Sequence, residues 1–439
     1  MSFPRYERYK DSGVEWLGEV PEHWGVKRLK FLGEAIIGLT YDPSEIVDEN
    51  EGTLVLRSSN VQGGKIILND NVFVRKNIPE KLITKAGDIL ICSRNGSRAL
   101  IGKNAVIEKG SEAITFGAFM TIFRSTYNNY LSYVFNSSLF EFQSGSFLTA
   151  TVNQLTVSNL YSFEIPLPFI SEQEKIAAFL DRETAKIDAL IAEQQRLIEL
   201  LKEKRQAVIS HTVTKGLNPD TPMKDSGVEW LGEIPEHWEL KATKRLFRMV
   251  VEPAPDDNDH ELLSIYTAIG VRPRKELEEK GNKATTTDGY WMVRKGDLIV
   301  NKLLAWMGAI GISDYDGVTS PAYDILRQRI PLEPRYYDYL FRCGICFSEF
   351  RRYSRGIMDM RLRLYFEELG QLHMPFPPEL EQQQIVSFLQ EELVIFDELT
   401  AEAQRAITLL QERRTALISA AVTGKIDVRG LVSDKRAAE

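Results

Sequence analysis

The stretch KDSGVEWLGEVPEHW at residues 10–24 returns as KDSGVEWLGEIPEHW at residues 224–238, with fourteen of the fifteen positions identical. The two copies are 214 residues apart. That period is far longer than the roughly 20–45 residues of a solenoid repeat. Each copy must therefore belong to a whole module, and the sequence predicts a tandem duplication of that module.

Weaker echoes follow the opening segment in the same order in both halves, at an offset of 209 residues. GDIL at 87–90 matches GDLI at 296–299, and a Pro-rich PLPF or PFPP run precedes a long helical pattern in each half. Between the GDIL or GDLI motif and the Pro-rich run, the same offset predicts three further matches. They are Tyr127 with Tyr336, Tyr130 with Tyr339, and Leu131 with Leu340.

The third echo consists of two long helical patterns, at 171–216 and 380–425. Apolar or small residues recur with the alternating three-and-four spacing of a coiled-coil seam, and Glu183 and Gln194 fill polar steps in the first helix. About 42 helical residues would span roughly 63 Å, and two matched helices in one chain are expected to pair antiparallel. The predicted seam positions are Ile176, Leu180, Ile187, Leu190, Leu197, Leu201 and Val208 in the first helix, and Ile385, Leu389, Phe396, Leu399, Ala403, Leu410 and Leu417 in the second.

These patterns predict an α+β fold with two mixed α/β domains in a pseudo-two-fold tandem repeat. The domains are separated by two long helices that form an antiparallel coiled coil. The predicted bounds are a first mixed domain at 1–170, its helix at 171–217, a second mixed domain at 218–379, its helix at 380–425, and a tail at 426–439.

Composition limits the class of protein. Of 439 residues, 43% are hydrophobic, which is enough to build real cores and excludes global disorder. The sequence has no run of 18 apolar residues and no apolar signal core, and three cysteines cannot form a disulfide framework. We therefore expect a cytoplasmic protein without a membrane span. A net charge of −8 argues weakly against a non-specific nucleic-acid coat.

Catalytic motifs are missing from the sequence. It contains no GxxxxGK[ST] phosphate loop, no dinucleotide glycine pattern after a strand, and no Asn-Pro-Pro-aromatic motif of the amino-methyltransferase type. Cys343 and Cys346 have zinc-like spacing but lack a second ligand pair. We predict no catalytic residue and no metal site, although Asp256, Glu278 and Lys280 leave a stand-alone nuclease as an alternative.

Basic and amide residues cluster in a few windows, and such side chains make the phosphate and base-edge contacts of DNA-binding proteins. Taken alone, each window is more often a solvated face than a DNA contact. The candidate DNA-binding residues are Arg94, Asn95, Ser97, Arg98, Lys103, Asn153 and Gln154 in the first half, and Lys302, Arg351, Arg352, Arg355, Arg361 and Arg363 in the second.

The repeated opening segment, the GDIL and GDLI strands and the two long helices together resemble the specificity subunits of Type I restriction–modification enzymes. The resemblance implies two target-recognition domains, each reading one half of a split site in double-stranded DNA. It also implies two methylation subunits, which bind S-adenosylmethionine and modify adenine, and motor–nuclease restriction subunits that use ATP and magnesium. No cofactor is then expected in this chain itself.

The remaining rival is a coiled-coil scaffold or adaptor that does not bind DNA. It would explain the two helices but not the two elaborate mixed domains. The stand-alone nuclease is the weaker alternative, because its three residues have no counterpart in the other half of the chain.

Overall fold

The computed structural model describes residues 3–110, 114–147, 153–267, 269–276, 287–356 and 361–432. The chain forms two compact units. The first unit combines residues 1–194 with 405–439, and the second comprises residues 195–404. Each long helix therefore contributes one part of its length to each unit, rather than standing outside both.

The first unit is built from short strands and short helices that precede a long helix. Its strands are β1 (Tyr9–Asp11), β2 (Glu19–Pro21), β3 (Gly25–Arg28), β4 (Glu34–Ile37), β5 (Ile46–Val47), β6 (Thr53–Leu56), β7 (Val61–Gln62), β8 (Lys65–Ile66), β9 (Phe73–Val74), β10 (Ile89–Cys92), β11 (Asn104–Val106), β12 (Thr115–Phe116), β13 (Met120–Arg124) and β14 (Glu164–Leu167). Its short helices are α1 (Asn128–Phe135), α2 (Ser138–Ser146) and α3 (Val157–Ser162), and the long helix α4 (Ile170–Lys215) follows.

The second unit repeats this order. Its strands are β15 (Met223–Asp225), β16 (Glu233–Pro235), β17 (Glu239–Ala242), β18 (Phe247–Val250), β19 (Leu263–Tyr266), β20 (Gly270–Pro273), β21 (Trp291–Val293), β22 (Leu298–Asn301), β23 (Ile310–Ile312), β24 (Gly317–Thr319), β25 (Tyr323–Gln328) and β26 (His373–Phe376). Its helices are α5 (Thr243–Leu246), α6 (Pro334–Phe341), α7 (Gly344–Tyr353) and α8 (Phe366–Leu369), followed by the long helix α9 (Glu379–Val422).

A four-stranded antiparallel sheet lies at the centre of each unit. The order is β11-β10-β13-β4 in the first unit and β23-β22-β25-β18 in the second. The inner strands β10 (ILIC) and β22 (LIVN) are apolar along most of their length and buried at every position. Burial on both faces explains why these strands read as continuous hydrophobic runs rather than as alternating ones. The repeated GDIL motif therefore marks the middle of each core.

The same ion pair braces both sheets. Arg124 on β13 donates from Nε and Nη2 to the two carboxylate oxygens of Asp88, over 2.8 and 2.6 Å. Arg327 on β25 bonds Asp297 in the same bidentate way, with both distances 2.8 Å. Both carboxylates are buried, so each needs its guanidinium partner.

A two-stranded antiparallel neck closes the middle region of each unit. In the first unit β3 pairs with β14, and Gly25 lies opposite Leu167. In the second unit β17 pairs with β26, and Glu239 lies opposite Phe376. The Pro-rich runs of the sequence form the returning strands, so the chain enters and leaves each middle region in one register.

The repeated opening segment packs against the ends of the long helices. Trp24 is fully buried beside Gly424, which ends α9 with a φ of 72°. Trp238 is fully buried beside Gly216, which ends α4 with a φ of 79°. A side chain at either glycine would be strained and would meet tryptophan or proline atoms. The buried tryptophans of the two segments therefore cover equivalent helix ends.

The start of each long helix is bonded to the same segment. His23 Nε2 lies 2.7 Å from Glu172 Oε2, and His237 Nε2 lies 2.7 Å from Glu381 Oε2. In the first unit the Tyr6 hydroxyl also donates to Glu172, over 2.7 Å. These two histidines thus connect the opening segment to the first turn of each long helix.

Buried tyrosines bond the last turns of the long helices and correct the predicted matches in this stretch. The Tyr130 hydroxyl donates to the Val422 carbonyl over 3.1 Å, and the Tyr336 hydroxyl donates to the Val213 carbonyl over 2.7 Å. Tyr130 is therefore equivalent to Tyr336, and the predicted matches of Tyr127 with Tyr336, Tyr130 with Tyr339 and Leu131 with Leu340 were wrong. The two halves differ in the length of the segments that precede this helix, so the offset between equivalent residues changes by three here. A single offset for the whole half could not match these residues correctly.

Within each unit the two long helices run antiparallel. In the first unit Arg414 Nε donates to Asp188 Oδ1 over 2.8 Å, and Ile176 and Ile418 share one core. In the second unit Leu201 packs with Leu393 and Phe396, and further along the same helices Val208 packs beside Leu389. Higher numbers on α4 thus meet lower numbers on α9.

Three predicted seam positions lie outside the seam. Leu190, Leu197 and Leu399 are 52%, 42% and 43% exposed, respectively. The three-and-four spacing passes through half-buried Gln194, a predicted polar step, and through half-buried Thr400, which the sequence pattern did not single out. Polar residues occupy the seam near the middle of both helices, and the nearest leucines misled a prediction based on hydrophobicity.

The other predicted positions on the long helices are buried or half-buried. Leu410 and Leu417 are half-buried beside buried Ile407 and Ile418, which the sequence pattern did not single out. These remaining predicted positions are Ile176, Leu180, Ile187, Leu201, Val208, Ile385, Leu389, Phe396, Ala403, Leu410 and Leu417.

Candidate nucleic-acid interface

The candidate interface of the first unit is the loop that follows β10, residues 93–103, here named the first tip loop. The backbone N–H groups of Ser93 and Arg94 both donate to the Phe119 carbonyl, each over 3.0 Å. The Leu155 N–H donates to the Ser93 carbonyl over 2.7 Å, and Arg94 and Gln154 form a backbone bridge. The fold thus brings together two candidate residues that are 60 positions apart in the sequence.

Internal bonds rigidify the first tip loop. Asn95 Nδ2 donates to Ser58 Oγ over 3.1 Å, and Asn95 Oδ1 accepts from the Ser97 N–H over 2.9 Å. Asn153 Nδ2 donates to the Gly96 carbonyl over 3.2 Å. The two asparagines predicted to contact DNA are therefore already bonded within the unit, and their visible role is to hold the loop.

Cations project from this loop. The Arg94 guanidinium lies 5.2 Å from the ring centre of Phe119, whose side chain is 59% exposed. Ser97 and Arg98 are exposed, and Arg98 Nη2 makes a long 3.4 Å bond to the Gly145 carbonyl. Lys103 is half-buried. Arg94 therefore lies over the exposed Phe119 ring and faces solvent, on a loop that internal hydrogen bonds hold in place.

The equivalent loop of the second unit follows β22 at residues 302–309, here named the second tip loop. The Leu364 N–H donates to the Lys302 carbonyl over 2.9 Å, as Leu155 does to Ser93. Lys302 therefore occupies the place of Ser93, and Arg363, just before Leu364, occupies the place of Gln154.

Lys302 is held in an internal ion pair. Its Nζ lies 3.1 Å from Asp324 Oδ1 and 3.3 Å from the Pro321 carbonyl. Burial raises the pKa of Asp324, and Lys302 acts in the opposite direction by pairing with its carboxylate. The structure thus places Lys302 in the support of the loop rather than at its exposed surface.

The arginine cluster of the second unit separates into two groups. Arg361 and Arg363 are exposed, and within the described part of the chain neither has an ion-pair partner. Arg355 exchanges backbone hydrogen bonds with Arg363, both 2.9 Å, while its guanidinium pairs with Glu368. Arg361 and Arg363 thus differ from Arg355 in having no ion-pair partner among the described residues.

Arg351 and Arg352 lie on α7 and have intramolecular contacts. The Arg351 guanidinium lies 5.3 Å from the ring centre of Trp306 in the second tip loop. Arg352 lies 3.4 Å from Glu349 and 3.9 Å from Glu229. Arg351 therefore supports the tip loop, and Arg352 belongs to a surface ion-pair network.

The second tip loop presents apolar side chains that the sequence pattern did not single out. Leu303, Leu304 and Met307 are 39%, 40% and 49% exposed. Basic and amide clusters were the signal for DNA contacts, and an apolar tip does not give that signal. Counting on from the matched GDIL and GDLI strands would have placed Leu303 and Leu304 opposite Arg94 and Asn95.

The sequence contains two alternative candidates for a chemical site, the Cys343 and Cys346 pair and the set Asp256, Glu278 and Lys280. Among the residues that the structure describes, no group of three or more His, Cys, Asp or Glu side chains could hold a metal ion. Cys343 and Cys346 are buried with their sulfurs 3.7 Å apart. Asp256 is exposed, whereas Glu278 and Lys280 lie outside the described residues. Over the same described part of the chain, no helix has both the length and the apolarity needed to cross a membrane.

Residues 21–200 match the family described as the Type I restriction modification DNA specificity domain. The chain is 29% identical over 220 residues to the Type I restriction enzyme StySPI specificity subunit of Salmonella potsdam, covering 48% of this chain and 47% of that protein. It is also 29% identical over 203 residues to the EcoKI specificity subunit of Escherichia coli K12, covering 45% and 44%. These alignments span about half the length of the curated relatives.

Two solved structures share the fold over nearly the whole chain. One is the HsdS subunit of Thermoanaerobacter tengcongensis, with a TM-score of 0.51 and 16% identity, covering 92% of this chain and 98% of that one. The other comes from work on complex assembly and conformational transition of the type I R-M system, with a TM-score of 0.64, 15% identity and the same coverages. The sequence matches and the shared fold agree: residues 21–200 resemble the DNA specificity domain of Type I restriction–modification enzymes, and the chain as a whole has the fold of solved specificity subunits.

Proposed function

We propose that the chain is the sequence-specific DNA-recognition subunit of a Type I restriction–modification complex and reads a bipartite target. The observation that carries this proposal is the contrast within one fold. Each unit has its own core, neck and helix-end packing, and these are built in the same way in both units. Their tip loops nevertheless differ in chemistry. Two readers of different half-sites would need such a contrast.

Local charge supports DNA binding despite the net charge of −8. Exposed Arg94 in the first unit, and Arg361 and Arg363 in the second, lie on or beside the tip loops. Arginine and glutamine bond phosphates and base edges, so Arg94 and neighbouring Gln154 form a suitable reading pair. Partner subunits would supply the remaining charge around the duplex.

The proposed partners are double-stranded DNA, two methylation subunits and motor–nuclease restriction subunits. Transfer from S-adenosylmethionine and ATP-driven cleavage with magnesium would occur in those subunits, and this chain would be non-catalytic. The absence of cofactor motifs from the sequence and the similarity to specificity subunits support that division. A cytoplasmic location remains a prediction of the same proposal.

Reconstitution of the chain with its methylation subunits tests the proposal. We expect the complex to methylate adenines in one split motif, visible by mapping modified adenines in DNA exposed to it. The chain alone should neither methylate nor cleave. Methyl transfer by the isolated chain, or a complex that shifts no duplex, would overturn the proposal, and the second result would favour a scaffold. Metal-dependent cleavage that disappears in Asp256→Ala would favour the nuclease.

A further inference from the structure

The apolar tip of the second unit is rigidly built. Trp306 Nε1 donates to the Leu303 carbonyl over 3.0 Å, and the Ala309 N–H donates to the Leu304 carbonyl over 3.0 Å. Gly308 adopts a φ of 97°, and an added side chain there would meet the Phe347 ring. The exposed Leu303, Leu304 and Met307 are therefore held in place, which is typical of a contact surface rather than of a loose loop.

The surroundings of this tip indicate what it contacts. The strand segment carrying Arg363 is bonded to the loop through the Leu364 N–H and the Lys302 carbonyl. Exposed Arg363 directly precedes Leu364, and exposed Arg361 lies two residues before it, so positive charge lies on the segment bonded to the apolar tip. The charge of Lys302, by contrast, is neutralised by Asp324. An apolar surface next to positive charge is complementary to a polyanion whose groove exposes apolar groups.

From this we infer that the second tip loop contacts the 5-methyl groups of thymine in the half-site read by the second unit. This inference rests on the proposed DNA-recognition function and specifies its chemistry at one site. Thymine methyl groups line the major groove and are contacted by apolar side chains, while the adjacent phosphates suit Arg361 and Arg363. The first tip loop, with Arg94 in the place of Leu303, should not depend on these methyl groups.

The test uses the complex with its methylation subunits and duplexes of the mapped target in which single thymines are replaced by uracil. Uracil keeps base pairing and lacks only the methyl group. We expect one or two replacements in the second half-site to weaken binding about fourfold, the effect of removing one buried methyl group. Fluorescence anisotropy at fixed salt measures the change.

Variants of the tip connect this effect to the loop. We expect Leu303→Ala, Leu304→Ala or Met307→Ala to abolish the penalty at the thymine that the residue contacts. Met249→Ala is the matched control, because Met249 is 39% exposed on β18 of the same unit. It should leave the uracil penalty unchanged. None of the tip variants should alter the response to uracil in the first half-site.

Four results would overturn the inference while leaving DNA recognition intact. They are a second half-site without an A·T pair, no uracil penalty there, a penalty that persists in all three variants, or tip variants that no longer bind the methylation subunits in DNA-free gel filtration. The last result would assign the patch to a protein partner. Failure of DNA recognition itself is distinguishable, because the complex would then not bind the unmodified duplex.

Discussion

The frames of the two units are nearly interchangeable, whereas their tip loops are not. Asp88–Arg124 corresponds to Asp297–Arg327, and the packing of Trp24 on Gly424 corresponds to that of Trp238 on Gly216. Beyond the matched strands the correspondence ends. SRNGSR at 93–98 stands opposite KLLAWM at 302–307. The two halves agree in sequence across the opening segment, whose buried positions cover the helix ends, and differ along the tip loops.

That difference separates two roles within one module. A residue of the frame acts on stability and should matter equally in both units. A residue of a tip loop acts on what is bound and should matter for one half-site only. Each of the following predictions tests this separation.

The largest expected effect comes from the frame tryptophans. Trp24→Ala and Trp238→Ala each remove a fully buried ring. Each should lower the free energy of unfolding of its own unit by about 3–5 kcal/mol. Urea unfolding measures the decrease, and Trp16→Ala, in the same segment but 36% exposed, is the control. Decreases below about 1 kcal/mol, or a decrease in one unit only, would break the equivalence of the frames.

The exposed arginines should have smaller, half-site-specific effects. Arg361→Ala with Arg363→Ala should weaken DNA binding by about 1–3 kcal/mol for each arginine that bonds a base edge, whereas removing an arginine that bonds a phosphate should flatten the salt dependence. Arg94→Ala should do the same for the first unit. Binding titrations of the complex across salt concentrations measure both. Unchanged affinity and unchanged salt slope in every variant would show that the clusters face elsewhere.

The smallest effect is a pH dependence confined to the second unit. Asp338 on α6 accepts a bond from the Ile312 N–H over 2.8 Å, and burial raises its pKa, whereas the equivalent position on α1 is half-buried Ser132. A carboxyl with a raised folded-state pKa contributes stability that is full below pH 3.8 and is lost as pH rises through the folded-state pKa.

The free energy of unfolding should therefore fall relative to Asp338→Asn as pH is raised from about 4 towards 7. Urea unfolding at several pH values gives this difference for the second unit. Ser132→Ala is the control and should show no such trend. A difference that grows in favour of the wild type with pH would contradict the assigned direction.

Much of the frame could be predicted from sequence. The repeat, the two long helices and the buried GDIL strands follow from identity, three-and-four spacing and continuous apolar runs. The role of residues 10–24 could not be predicted, because Trp24 packs against Gly424, which is 400 positions away. The exposed Leu399 shows a second limit, since the neighbouring polar residue Thr400 is the more buried of the two.

The candidate interface was only partly predictable. Composition led to Arg94, Arg361 and Arg363, and the structure leaves all three exposed. Composition could not reveal that Asp324 neutralises Lys302, because the pairing of β22 with β25 brings these two residues together. Nor does a rule based on charge detect an apolar reading surface.

The most direct test of the two-reader account is to exchange what lies beyond the neck. Gly25 lies opposite Leu167 as Glu239 lies opposite Phe376, so residues 239–376 can be replaced by a second copy of residues 25–167 at matching joints. Adenine methylation by the variant complex would then be mapped. The account predicts that the second half-site is replaced by the sequence of the first, while the first is unchanged. Retention of the original second half-site, or a change in the first, would contradict it.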